Sequence, residues 1–498
     1  MRNSTALAAG RERPAPALDR GDGESLLTTC RHALDRARRT RRPVLMSWAK
    51  RLTLADPVVV WSRARRSTSR SFLWQSAWDQ GSIVAIGTAR DLRGRGEQRI
   101  ARVREDWAAL TRDLVSGGAA DPALPAGRGP LAIGGFAFSP DQATQARQLP
   151  DALLWVPALQ LRSRVPDGGA ADRSGPAELR LNATLLHDSD PEQVAEALAQ
   201  LAERCLRGGA GAERPPAPSP AARYTRVERP GADDWKGLVR RATYDIRDGR
   251  FEKVVLAREL RVIASAPFDI PAAVHRLRAA NPGTTVFAVD HEEYTFLGAT
   301  PEYLVRVEDR AVHALGLAGT APRGATPEED EALERELAAS PKLRHEHDIV
   351  VQMLRDAFHR SCTEVAVEDR PSVVKLANVQ HLSTKVRGRL DAGAAVGVLD
   401  FVDRLHPTPA LGGHPRAESL SWLSDHEGFD RNWYAGVVGW ADPAGQGQFS
   451  VTIRSALLDG SSASLYAGCG LVADSDPEAE YAETCAKLRP MMSALGIE

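Results

Sequence analysis

Between residues 232 and 249 the apolar residues Trp235, Leu238, Val239, Ala242 and Ile246 recur at helical spacing, and Gly249 stands where a C-cap belongs. The pattern then changes period. KVVLAREL (residues 253–260) is short, rich in valine and leucine, and alternating, which reads as a strand. On it Lys253, Val255 and Ala257 share one face, and Val254, Leu256 and Arg258 the other. Near the C-terminus, AGCGLVADSDPEAEYAETCAKL (residues 467–488) runs from a glycine-bearing apolar stretch into a helix start, where Pro477 follows Ser475 and Asp476 and acidic residues crowd the first turns. On that helix Glu480 and Glu483 are three apart and Lys487 four further on, so two carboxylates and an ammonium project from one face. The first half is less regular. It reads as a flexible tail over residues 1–25, a basic helix over 27–42, and short strands over 57–61, 83–87 and 131–138. Two Pro/Gly/Ala-rich stretches, 165–175 and 208–222, read as loops or linkers. The second divides a less regular N-terminal part (26–222) from a C-terminal part (223–498). No internal repeat is visible.

Composition narrows the classes. With 498 residues, 43% of them apolar, the chain can bury a large core. A formal net charge of −1 gives no basic excess for nucleic acid, and the small aromatic fraction offers no stacking platform. The first twenty-five residues hold no apolar signal-peptide core, and no apolar run reaches the length of a membrane span. The expectation is a soluble, cytoplasmic protein with neither a nucleic-acid nor a membrane partner. Five widely spaced cysteines without a CxxC fit free thiols in a reducing compartment.

The candidate chemistry lies in nine segments. They are FEKVVLAREL (251–260), FLGATPEYLVR (296–306), LGLAGTAPRG (315–324), SPKLRHEHDIVV (340–351), NVQHLSTKVRG (378–388), LHPTPALGGHPR (405–416), RNWYAGVVGW (431–440), FSVTIRSALL (449–458) and the acidic helix segment. In this order they resemble the chorismate-utilising enzymes, the family of anthranilate, aminodeoxychorismate, isochorismate and salicylate synthases, over about residues 230 to 490. The resemblance implies an α/β fold: one large chorismate-binding domain of two packed antiparallel-rich β-sheets flanked by helices, with residues 223–498 as its catalytic part. Periodicity alone supports only mixed α and β.

The same resemblance implies roles. Lys253 corresponds to the lysine that activates water in isochorismate and salicylate synthases, where ammonia-using members usually have glutamine. Isochorismate formation adds water at carbon 2 of chorismate, shifts the double bonds and expels the 4-hydroxyl, so one group takes a proton and another gives one. A lysine serving as base needs its pKa lowered by roughly 3 units from about 10.4, which burial beside apolar neighbours can provide. Glu302, after a Thr-Pro turn, is the expected acid, held protonated to donate to the departing hydroxyl. Mg²⁺ is the expected cofactor, bound by Glu346, Glu480 and Glu483, since it prefers a few carboxylate oxygens plus water and substrate oxygens. His345 and His347 flank Glu346, but i and i+2 on a helix point apart, which argues against zinc. Arg454 is expected at the enolpyruvyl carboxylate, with Tyr434 beside it and backbone NH groups near Gly468. Gly319 and Thr320 also bind substrate, Lys487 meets a carboxylate or a metal-bound water, and His381 lies near the ring or its leaving group.

Differences among the family's motifs narrow the reaction. Aminodeoxychorismate synthases commonly carry a lysine where this chain has Ala318, and no amino-acid inhibition motif is visible near the N-terminus. Ala321, directly after Thr320, is a small residue where salicylate and anthranilate synthases more often have arginine. Asn432 stands where glycine is usual in RGWYAG, and Val437 where proline is frequent. The reading is a Mg²⁺-dependent isochorismate synthase, a monomer or weak homodimer with no amidotransferase subunit. The alternatives are a salicylate synthase, which eliminates pyruvate from bound isochorismate, and a chorismate-binding protein without turnover. Whether the product feeds menaquinone, a catechol siderophore or a specialised metabolite stays open.

Overall fold

Alternating apolar positions along most of the chain build two large β-sheets, of thirteen and ten strands, in a computed structural model that describes residues 16–54, 56–140, 148–164, 175–206, 223–376 and 379–497. Pairing is antiparallel throughout the described ladders except where Val44–Leu54 runs parallel to Val115–Gly118. The sheets face each other across a core in which Phe72 of the larger meets Trp155 of the smaller edge-on at 6.0 Å. Helices cover the outer face of the larger sheet, where the C-terminal helix Pro477–Leu495 packs over a second apolar cluster. This is the α/β, antiparallel-rich double sheet that the motifs implied. Among the described residues no helix is long and apolar enough to cross a membrane.

Both parts of the chain contribute to both sheets. In the larger, Thr285–His291 pairs with Arg70–Gln75; in the smaller, Val437–Ala441 pairs with Ala132–Phe136. The 208–222 stretch lies outside the described residues, as does 165–175 apart from Gly175, which opens a strand.

Three first-half elements differ from their sequence reading. The 57–61 strand is instead the helix Pro57–Ala64: Asp56 caps it by accepting from Val58 N at 3.0 Å, and Pro57 sits at its first turn. The run of valines hid a helical face on which Val58, Trp61 and Ala64 are buried. The helix read over 27–42 is Arg20–Thr40, begun early by a capping box between Asp19 and Asp22. The tail of 1–25 is therefore too long, since Arg20 onward is helical. Residues 1–15 lie outside the described residues.

The strand Lys253–Ala264 has one edge completed in pieces. Tyr224–Arg229 pairs with its far half, and Gly413–His414 with Lys253 and Val254. Between them, side chains replace a strand: Glu427 accepts from Ala257 N at 2.7 Å, Arg431 donates to Val255 O at 2.6 Å, and Trp235 donates to Ala257 O at 3.2 Å. Every backbone group so satisfied would otherwise be buried and unpaired.

Candidate active site

The chain passes from the larger sheet to the smaller at Thr300–Tyr303, and from the smaller to the larger at Val451–Ser455. The first crossing delivers Glu302, whose NH donates to Thr300 Oγ1 at 3.3 Å and whose carbonyl accepts from Val451 N at 3.1 Å. The second delivers Arg454, in the left-handed conformation at φ 52°; Asn432 and Ala435, on the neighbouring turn, are left-handed too. Three non-glycine residues at positive φ around one cavity is local strain of the kind that functional sites hold. It also accounts for Asn432 at a position where glycine is usual, because asparagine tolerates this conformation best after glycine.

The cavity, about 180 Å³, lies between these crossings. Eleven of the twelve predicted site residues line it: Glu302, Gly319, Thr320, Glu346, His381, Tyr434, Arg454, Gly468, Glu480, Glu483 and Lys487. The twelfth, Lys253, is buried behind Glu346 and reaches its carboxylate, Nζ to Oε1 at 2.8 Å. Glu346 comes from the helix Pro341–His359, capped by Ser340. His347, one residue on, turns inward to Thr384 at 2.7 Å, while His345 is exposed, so the two histidines diverge as their spacing predicted. Among the described residues no group of three His, Cys, Asp or Glu side chains stands ready to hold a metal ion.

Glycines shape the wall. Gly319 is a left-handed residue (φ 75°) in a bulge between Ala318 and Thr320. Thr320 then pairs with His381, its hydroxyl 3.1 Å from His381 Nδ1. That nitrogen also lies 3.3 Å from Gly319 O, which fixes the tautomer: Nδ1 carries the proton, and Nε2, 3.5 Å from Arg454 Nη2, is left as acceptor. Burial and the positive charge of Arg454 push His381 well below its usual range, so it is neutral. A Cβ on Gly470 would fall 2.8 Å from Glu346 Oε1, and one on Gly468 3.2 Å from the Tyr434 hydroxyl. The sequence reading missed Gly470, as it missed Arg431 and Glu427. Each was within or near a quoted segment, but what each touches depends on partners far along the chain.

Charge is balanced in pairs. Lys253 meets Glu346; Lys487 meets Glu483 at 2.6 Å and donates to Gly468 O at 2.9 Å; Glu480 hydrogen-bonds with the Cys469 thiol. Burial pushes Glu302 up to about 8, against the opposing pull of Arg454 and Lys253, so it is protonated at neutral pH. Burial likewise raises Tyr434 to about 12. Among the described residues no carboxylate ion-pairs with Arg454, whose fork is left for an incoming anion. Lys253, Lys487 and Arg454 thus face Glu346, Glu480 and Glu483, three cations against three anions. A dianion entering alone would leave two uncompensated negative charges, and a divalent cation with it would restore neutrality.

A cavity at a sheet crossing, with a neutral buried acid, a buried lysine and an arginine that has no carboxylate partner among the described residues, defines a site for a small carboxylate substrate. The chain belongs to the chorismate binding enzymes, a family that matches residues 32–496. It is similar to isochorismate synthase MenF of Bacillus subtilis, 34% identical over 94% of this chain and 97% of that protein. It is 36% identical to the salicylate biosynthesis isochorismate synthase of Pseudomonas aeruginosa, over 95% of this chain and 94% of the relative. Among solved structures, the putative 2,3-dihydroxybenzoate-specific isochorismate synthase DhbC of Bacillus anthracis superposes with a TM-score of 0.67 at 29% identity, covering 86% of this chain and 97% of that one.

Proposed function

We propose that the protein is an isochorismate synthase, an isomerase that moves the ring hydroxyl of chorismate from carbon 4 to carbon 2 with Mg²⁺ bound. The observation that carries this reading is the presence at one cavity of Glu302, held protonated near pH 7, and of the buried Lys253 just behind Glu346 in its wall. Glu302 gives its proton to the leaving hydroxyl. Lys253 takes one from the attacking water as the free amine, once its ammonium proton has left to solvent and Nζ has exchanged Glu346 for that water. Arg454, oriented by neutral His381, binds the enolpyruvyl carboxylate beside Tyr434. Glu346, Glu480 and Glu483 supply hard oxygen donors suited to Mg²⁺, which when bound neutralises a substrate carboxylate. Ala318 lines the cavity and offers no amine of its own, which supports water rather than a side-chain amine as the nucleophile.

All five cysteines are free, in keeping with a cytoplasmic setting. The test is incubation of purified protein with chorismate and Mg²⁺ near neutral pH, with products resolved by chromatography. Isochorismate with little pyruvate is expected, and excess EDTA is expected to stop its formation. Salicylate with stoichiometric pyruvate from the earliest time point, an amino product dependent on ammonia, or no turnover at all would each overturn the assignment.

A further inference from the structure

Arg258 lies on the strand that carries Lys253, on its opposite face, and is 1% exposed. Burying a guanidinium this deeply is costly unless charge and most of its donors are compensated. Its Nε donates to Thr484 Oγ1 at 2.8 Å and its Nη2 to Cys485 Sγ at 3.0 Å. Its Nη1 is 3.2 Å from Glu228 Oε2, and the plane covers the Tyr481 ring at 4.5 Å. Tyr481 closes the circuit by donating to the same Glu228 carboxylate at 2.8 Å, and the Thr484 hydroxyl donates to Tyr481 O at 2.7 Å.

All of Arg258's partners except Glu228 sit on the C-terminal helix. Tyr481, Thr484 and Cys485 form one stripe of it; Glu480, Glu483 and Lys487 form the adjoining stripe and face the cavity. Helix residues advance about 1.5 Å and 100° each, so a slide or rotation that moves the carboxylates must also break the fork, the stack or both. Lys253 and Arg258 share one rigid strand, so the lysine and the carboxylates are set relative to each other through Arg258.

We propose that Arg258 is a positioning residue, which fixes the register of the C-terminal helix and thereby the placement of Glu480 and Glu483 opposite Lys253. The proposal rests on the chorismate site described above, and its test reads binding as well as turnover. Full-length wild type is compared with Arg258→Met, Thr484→Val, Thr484→Ser and Arg276→Met. Arg276 donates to Ala494 O at 2.6 Å and anchors the far end of the same helix, away from the cavity. Chorismate affinity is measured by calorimetry in the presence of Mg²⁺, together with the Mg²⁺ concentration giving half-maximal binding and Tm.

Arg258→Met and Thr484→Val are expected to weaken chorismate binding and raise the half-saturating Mg²⁺ by about tenfold or more, since displacements near 1 Å disrupt productive geometry. Thr484→Ser, which keeps the hydroxyl, and Arg276→Met, which lowers Tm, are expected to leave both within about twofold. Equal losses of Tm in Arg258→Met, Thr484→Val and Arg276→Met, with affinity and Mg²⁺ dependence unchanged, would overturn the proposal. Where Arg258→Met does not fold, Thr484→Val decides. A wild type that binds chorismate but makes another product sinks the isochorismate reading alone, because the binding comparison still decides the role of Arg258; a wild type that does not bind chorismate sinks both.

Discussion

Glu302 shows how a single residue acquires its chemistry from burial. The folded protein holds its proton up to about pH 8, whereas its ordinary value is 4.5. Its contribution to stability is therefore complete below about 4.5 and is lost as pH rises toward 8. Urea unfolding at a series of pH values is expected to show stability falling across that window, and Glu302→Gln is expected to flatten the fall; an unchanged slope would show that the carboxyl is not neutral in the fold. Turnover is expected to decline above about pH 8 for the same reason. Lys253→Ala and Glu302→Gln are each expected to lower kcat by 10²–10⁴-fold while the protein remains folded, the usual range for removing a proton-transfer group. Turnover by Lys253→Ala within about tenfold of wild type would refute the base assignment. The identities of both residues were legible in their motifs. The Lys253–Glu346 ion pair was not, because it joins residues 93 apart in sequence.

At the scale of elements, legibility followed period and capping. The strand beginning at Lys253 and the helix beginning at Pro477 matched their patterns because their local signals and tertiary surroundings agree. Residues 57–61 went the other way: three consecutive valines favour a strand, and the Asp56–Pro57 cap outweighed them. The strand Ser462–Leu471 illustrates what a motif conceals. Its Gly468 and Gly470 both approach the cavity, and Gly470 leaves room for the meeting of Lys253 and Glu346. A methyl at Gly470 would meet Glu346 Oε1 and Lys253 Cε at 2.8 and 2.9 Å, both on side chains able to move aside. Gly470→Ala is therefore expected to keep a near-native Tm while lowering kcat/KM by about 10–100-fold, as displaced catalytic groups do. Wild-type turnover in this variant would show that the close packing there has no bearing on the reaction.

For the whole molecule, the Pro/Gly/Ala-rich stretch near residue 222 reads as a boundary in sequence, yet both sheets run across it. Without residues 1–222, the strand Thr285–His291 loses all six register partners in Arg70–Gln75, and Val437–Ala441 loses all five in Ala132–Phe136. All twelve residues of those two strands are buried. Their unpaired edges would be exposed and mostly apolar, the kind that pair with other chains. The core would suffer equally, since Phe296 and Trp433 pack edge-on at 6.1 Å while the Trp433 indole donates to Pro150 O at 2.8 Å. A fragment of residues 223–498 retains every predicted site residue, and on the motif evidence alone it would be expected to bind chorismate. The sheet topology predicts instead that it aggregates when expressed alone and becomes soluble and competent only when residues 1–222 are supplied, as a second chain or by covalent linkage. Size-exclusion chromatography and chorismate titration of the fragment decide the matter. A monodisperse fragment that unfolds cooperatively and binds chorismate would mean that the first half is an accessory rather than half of each sheet's support.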